Sequence, residues 1–313
     1  MNNLTHISEN VISLAQKVAA LQALPLFPAL EKTGFEAATA PLFFTPQCDE
    51  TGLYPISKPI GQAIIRTDTR APLGVVGQRY AIAQNSDLQA AVSEAAEASL
   101  PRHALQDIEL KEFTSRGGAY TRFEYTFPAL GADIRQLKGG STQLKFRLGV
   151  VNSFNGAGSI RGFAGAYDLI CTNGLIIGEY ETSAFRHSAG FEPKRLGQFI
   201  EAEAAKYIVR VRAWQEWAQK RITYSQAEDT LQAAGMSGRR VAKLMLQFEA
   251  EAAARGATVW ALYSALTYYS SHNSETFGVR NATAADNVAE TLDKREREVA
   301  AVINAEAFQR LAA

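Results

Sequence analysis

GAYTRFEYTF (residues 118–127) is followed, after a glycine-bracketed loop, by STQLKFRLGVVNSFNGAGSIRGFAGAYDLICTNGL (residues 141–175). Side chains alternate across a strand, so residues two apart share a face. Between Thr142 and Val151, Leu144, Phe146, Leu148 and Val150 fall on one face, and Gln143, Lys145 and Arg147 on the other. The upstream segment divides in the same way. Ala119, Phe123, Tyr125 and Phe127 oppose Tyr120, Arg122 and Glu124. The two strands are expected side by side with their apolar faces under helices. That leaves a solvated, basic, partly aromatic sheet face carrying Arg122, Lys145 and Arg147. Asn155-Gly156, further along, is a short-range hairpin signal.

Working outward, QAIIRTD (62–68) and LGVVGQRYAIA (73–83) read as strands separated by turn residues. Asn85-Ser86-Asp87 offers a cap for a helix running to about Ser99, which Pro101 ends. Strands dominate from about Leu105 to Ile170, in a run of four. Upstream, residues 7–24 have apolar positions at helical spacing, and residues 25–60 read as a long ordered loop or short strands. After Gly190 the period changes to that of helices, over 192–220, 225–234, 237–255, 258–272 and 283–311. The fold class is therefore α+β: an antiparallel β-meander packed by helices, then an all-helical C-terminal part. The expected division is an α+β domain over residues 1–190 and a helical region over 191–313.

The chain of 313 residues can bury a sizeable core, and 47% hydrophobic with 20% charged residues is ordinary for a globular protein. No apolar run has the length of a membrane helix, and the first residues lack a basic-then-apolar leader pattern, so a cytoplasmic protein is expected. Cys48 and Cys171 are too few for a disulfide framework. Net charge is zero but unevenly spread. Lys111 to Arg161 holds 8 Lys plus Arg against 3 Asp plus Glu, a local surplus of 8 − 3 = 5. Such a surplus favours phosphate-backbone partners, while its blander reading is a solvated charged face.

Catalytic motifs are missing from the pattern. The four histidines, at 6, 103, 187 and 272, have no neighbour at metal-ligand spacing. No GxSxG elbow or GxxxxGK[ST] phosphate loop occurs. GAGSIRG (156–162) has its third glycine one residue late for a dinucleotide fingerprint and sits in a hairpin. Glu109 with Lys111 is half of a nuclease-like pattern without a second carboxylate, and reads better as an exposed edge strand.

Four stretches together resemble a phage and plasmid family catalogued as domain of unknown function 932. LGVVGQRYAIAQN (73–85) resembles its early signature, VVNSFNGAGSIR (150–161) and LICTNGL (169–175) its central pair, and TVWALYSALTYYSSH (258–272) its late helix. The family's central motif usually reads Asn-Ser-His-Asp-Gly. Here Phe154 and Asn155 stand in place of the histidine and the acid, so no catalytic or metal role is carried over to this spot. A helix, a meander and then helices is also similar, by fold analogy, to single-strand annealing recombinases of the Rad-fifty-two and Red-beta kind. Those proteins assemble into rings or filaments and lay single-stranded DNA along a basic groove.

The resulting expectation is a non-enzymatic single-stranded DNA-binding, strand-annealing protein of a phage or plasmid recombination system. It would need no cofactor and no metal, and would work as a homo-oligomer. Arg122, Lys145, Arg147 and Arg161 would hold phosphates, Tyr120 and Phe154 would offer stacking surface, and Asn152 would line the same region. The alternative is a protein-binding module of a mobile element, such as a counter-defence factor that blocks a host nuclease. A metal-dependent nuclease stands third. The final helix, 283–311, is expected either as an exposed assembly arm or packed on its own domain.

Overall fold

The computed structural model describes residues 27–42, 60–168, 173–176, 184–271 and 286–313. The helix expected over 7–24, and Cys48 and Cys171, lie outside the described residues. Two antiparallel sheets form. The smaller takes the order β1 (Ala37–Leu42), β2 (Gly61–Arg66), β3 (Pro72–Val76). The larger runs β4 (Glu109–Ser115), β5 (Tyr120–Arg135), β6 (Ser141–Ser153), β7 (Ile160–Asp168), β8 (Asn173–Ile176), with β9 (Ala184–Phe185) also pairing with β7. The chain is α+β, as its periodicities require.

The alternation holds residue by residue. Phe123 lies opposite Val150, Tyr125 opposite Leu148, and Phe127 opposite Phe146. All six are fully buried. Pro128 sits where the β5–β6 register shifts, a place in a ladder that tolerates a residue without an N–H. The hairpin then extends to a turn in which Gly139 and Gly140 take positive φ, 95° and 77°. Between β6 and β7, Gly156 also has positive φ, and the Asn155 carboxamide accepts from the Ala157 amide. The Asn-Gly hairpin signal is therefore realised, within a loop longer than two residues.

Helices cover both faces. Helix α1 (Asn85–Ser99) and the long α2 (Pro193–Gln219, with proline in its first turn) pack on one another, with α2 against β5 and β7 on the aliphatic-aromatic face. Gly162 of β7 permits the approach, since a methyl there would meet Leu196 and Phe199 of α2 at 2.7 and 2.8 Å. After α2 come α3 (Tyr224–Ala233), α4 (Gly238–Arg255), α5 (Val259–Ser271), α6 (Val288–Asn304) and α7 (Glu306–Ala312). Trp214 of α2 packs with Trp260 and Tyr263 of α5, and Trp217 with Phe308 of α7. A single apolar cluster thus includes residues from both sides of position 190.

Two local expectations are corrected. The residue preceding α1 is Gln84, without a capping side-chain bond, and Asn85 is buried. The Gln84 amide instead brackets Ala37, accepting from its N–H at 3.1 Å and donating to its carbonyl at 2.7 Å. Those groups lie on edge strand β1, whose other end carries Pro41, so the edge is closed to strand addition at two points. The final helix is not an exposed arm. Ala289, Leu292, Val299, Ala300, Val302 and Ile303 of α6 are buried, and α6 packs against β4 and β5.

Candidate nucleic-acid interface

The face expected to be solvated is closed by α6. Arg122, Glu124 and Arg147 are buried. Arg122 donates to Glu296 of α6 through both terminal nitrogens, at 2.8 Å each, and through Nε to Glu124. Arg147 bridges the same two carboxylates, at 3.1 Å to Glu124 and 2.8 Å to Glu296. Two guanidiniums and two carboxylates thus form a charge-balanced quartet, the arrangement that burial demands. The Phe163 ring lies beneath it, 4.2 Å from the Arg122 guanidinium carbon and 5.2 Å from that of Arg147.

A second group adjoins the quartet. Arg161 of β7 pairs with Asp293 of α6 and donates to the Tyr120 hydroxyl, which in turn donates to Asp293 at 2.6 Å. Burial, reinforced by the Asp293 charge, pushes the Tyr120 hydroxyl well above the usual phenol range. Glu290, one turn earlier on α6, pairs with Arg116 at 3.0 Å. Glu290, Asp293 and Glu296 follow one another at intervals of three, which puts three carboxylates along one side of α6, facing Arg116 in the turn after β4 and the arginines of the sheet.

Asn152 and Phe154 are also inside. Asn152 donates to Ala83 O and Asn85 Oδ1, both at 2.9 Å, tying β6 to the start of α1. Phe154 belongs to the core of the small sheet with Ala37, Ile64, Leu73, Val76 and Ala119, against Phe35. Of the seven residues expected to meet DNA, only Lys145 keeps an accessible head. It pairs with Glu109 at 2.9 Å and shares a cleft with Asp133. The alternation correctly placed Arg122, Arg147 and Tyr120 on one face, to which the structure adds Arg161 opposite Val151; its error was the solvent. Tyr120, Arg122, Arg147 and Arg161 cannot touch a strand while α6 is in place, and Asn152 and Phe154 are closed off by α1 and the small sheet.

An accessible cationic surface lies elsewhere, where the β5–β6 hairpin tip meets the α2–α3 and α4–α5 junctions. One cleft, of about 460 Å³, is lined by Leu137, Lys138, Arg221, Tyr224 and the end of α4. A second, of about 340 Å³, shares Arg221 and Ile222 and adds Lys220, Asp229 and Arg310. Among the described residues Lys220 and Arg221 have no carboxylate partner. Lys138 spends one donor on the Ala253 carbonyl at 2.9 Å, and Arg310 pairs with exposed Glu306. Asp229 is the acidic residue of the lining and accepts from Ser225 at 3.1 Å. Sequence reading missed this groove because its members come from positions 138, 220–224 and 310, which no spacing rule connects. The Lys220-Arg221 doublet at a helix end was the local signal.

A model of the family described as "Domain of unknown function (DUF932)" matches residues 72–299. No curated protein and no solved structure matches the chain. The matched span contains both halves of the buried arginine–carboxylate network and most of the groove, with Arg310 beyond it.

Proposed function

The chain belongs to the DUF932 family, and from that premise we propose that it is a non-enzymatic single-stranded DNA-binding protein whose phosphate contacts are made at the groove around Arg221. The observation that carries this reading is a pair of adjoining clefts sharing Arg221, with Lys220 and Arg221 unpaired and Lys138 and Arg310 at the margins. Cations without carboxylate partners are free to displace the counterions condensed on a phosphate backbone. One such groove spans only a few nucleotides, so strand annealing would require several copies of the chain on one strand.

The test is a salt titration with a labelled oligothymidylate. The wild type should bind at low salt. Lys220→Ala with Arg221→Ala should weaken binding and lower the salt slope by about 0.7 for each lost contact. An unchanged affinity and slope in the folded double variant would remove the groove from the interface. Absence of binding at any salt would favour the second reading, a protein-binding module of a mobile element. One feature supports that alternative. The outward side of the small sheet is apolar, with Val75 63% exposed and Ala38, Ala40, Ala63 and Ile65 half-buried.

A further inference from the structure

Tyr224 differs from the other aromatic residues of the helical region. Trp214, Trp260 and Tyr263 are fully buried in a mutual cluster, whereas Tyr224 is 48% exposed at the larger cleft. Its position is nonetheless fixed from two sides. It is the first residue of α3, directly after a capping box in which the Thr223 hydroxyl accepts from the Gln226 amide and the Gln226 side chain accepts from the Thr223 amide. Its ring also stands edge-on to Phe248 of α4, with centroids 5.2 Å apart and planes at 64°. The backbone and one ring contact hold it still while the remaining ring surface is open. Lys138 and Arg221 line the same cleft.

We propose that Tyr224 is a nucleobase-stacking platform, with Lys138 and Arg221 meeting the adjoining phosphates. This deepens, and rests on, the single-stranded DNA reading above. A held aromatic ring loses little freedom when a base lies on it, and every base offers a π-face, so the contact tolerates any sequence. Duplex bases have both faces occupied by their own stack. The groove therefore takes unpaired strand, and selects it by stacking rather than by charge.

Three labelled probes of equal length, compared at matched salt across a salt titration, test this: oligothymidylate, an abasic oligodeoxynucleotide and a duplex. The wild type is expected to bind oligothymidylate about tenfold more tightly than the abasic probe, within the lower half of the stacking range for one base. Tyr224→Ala should abolish that difference and leave the salt slope unchanged, while Tyr224→Trp should keep it. Tyr224→Leu, which retains an apolar contact with Phe248, guards against a folding defect in the alanine variant and should behave like it. Equal binding of oligothymidylate and abasic probe by the wild type would overturn the platform and leave the phosphate-contact reading standing. Failure to bind any of the three would overturn both.

Discussion

Arg122 of β5 and Glu296 of α6, 174 positions apart in the chain, are joined by two hydrogen bonds of 2.8 Å, and both side chains are buried. A doubly bonded pair of this kind fixes both the distance and the rotation of α6 over the sheet. Removing one partner leaves the buried quartet with an uncompensated charge. Glu296→Ala should therefore destabilise the fold by about 3–5 kcal/mol, measured by urea denaturation. In a double-mutant cycle with Arg122→Met, the two losses should be strongly non-additive. Additive losses would mean that the pair is not closed in solution.

Gly149 gives a sharper test of the same region. It lies under the Phe163 ring, and a methyl at this position would collide with that ring and come within 2.7 Å of the Phe123 carbonyl. Neither the ring nor the backbone can yield easily. The Arg122 guanidinium rests on Phe163, so tilting the ring would also disturb the charged quartet. Gly149→Ala should cost about 1–3 kcal/mol by overpacking, although in an ordinary strand alanine is the better residue. A thermal midpoint at or above the wild-type value would show that the ring has room to move.

These two sites show what could be read from the sequence and what could not. Alternation along β5 and β6 divided the faces correctly, because a one-residue slip would have sent Phe123, Tyr125, Phe146 and Leu148 to the wrong side together. It gave no information on what covers the second face. The relevant partners, Asp293 and Glu296, lie well over a hundred residues downstream, and charge complementarity over such separations leaves no local period. One clue was present. Gly149, Val151 and Phe163 share the supposedly solvated face with Arg122 and Arg147. A small residue opposite a phenylalanine on a polar face indicates packing, not water. The groove was less legible still, since it is assembled from a hairpin tip and the ends of α2, α3, α4 and α7.

Acid should destabilise the protein in two steps. The His187 ring stacks on Tyr80 with centroids 4.7 Å apart, and burial lowers its pKa from 6.5 to about 4. The unfolded chain then binds more protons than the native one between those values. Stability is fully present above about 6.5 and falls as pH drops toward 4, by roughly 1–3 kcal/mol. For Glu112, burial opposes the charge, but the Thr33 hydroxyl and the amides of Thr33, Glu31 and Lys32 outweigh it and hold the carboxyl below its usual range. Its contribution is lost at lower pH, below the ordinary glutamate value. His187→Phe should flatten the stability curve between pH 6.5 and 4, and Glu112→Gln should flatten it only below the ordinary glutamate value of 4.5. A His187→Phe curve parallel to the wild type across the upper window would refute the assignment.

Lys145 and Arg147 are two residues apart on one strand face, and the structure separates their fates. Lys145 keeps 23% of its side chain exposed and pairs with Glu109, itself half-exposed. Such a surface pair is worth about 0–1 kcal/mol, so Lys145→Ala should leave the urea midpoint nearly unchanged. Arg147 holds both Glu124 and Glu296 at 3.1 and 2.8 Å in the interior. Arg147→Ala leaves the two buried carboxylates sharing the single guanidinium of Arg122, an uncompensated buried charge that should cost about 3–5 kcal/mol, with any loss of oligonucleotide binding following from loss of fold. The two readings of this face differ in a single measurement. If the sheet face were open to solvent, both variants would fold like the wild type and Arg147→Ala would weaken DNA binding alone. If α6 closes it, Arg147→Ala unfolds at markedly lower urea, whereas Lys145→Ala does not.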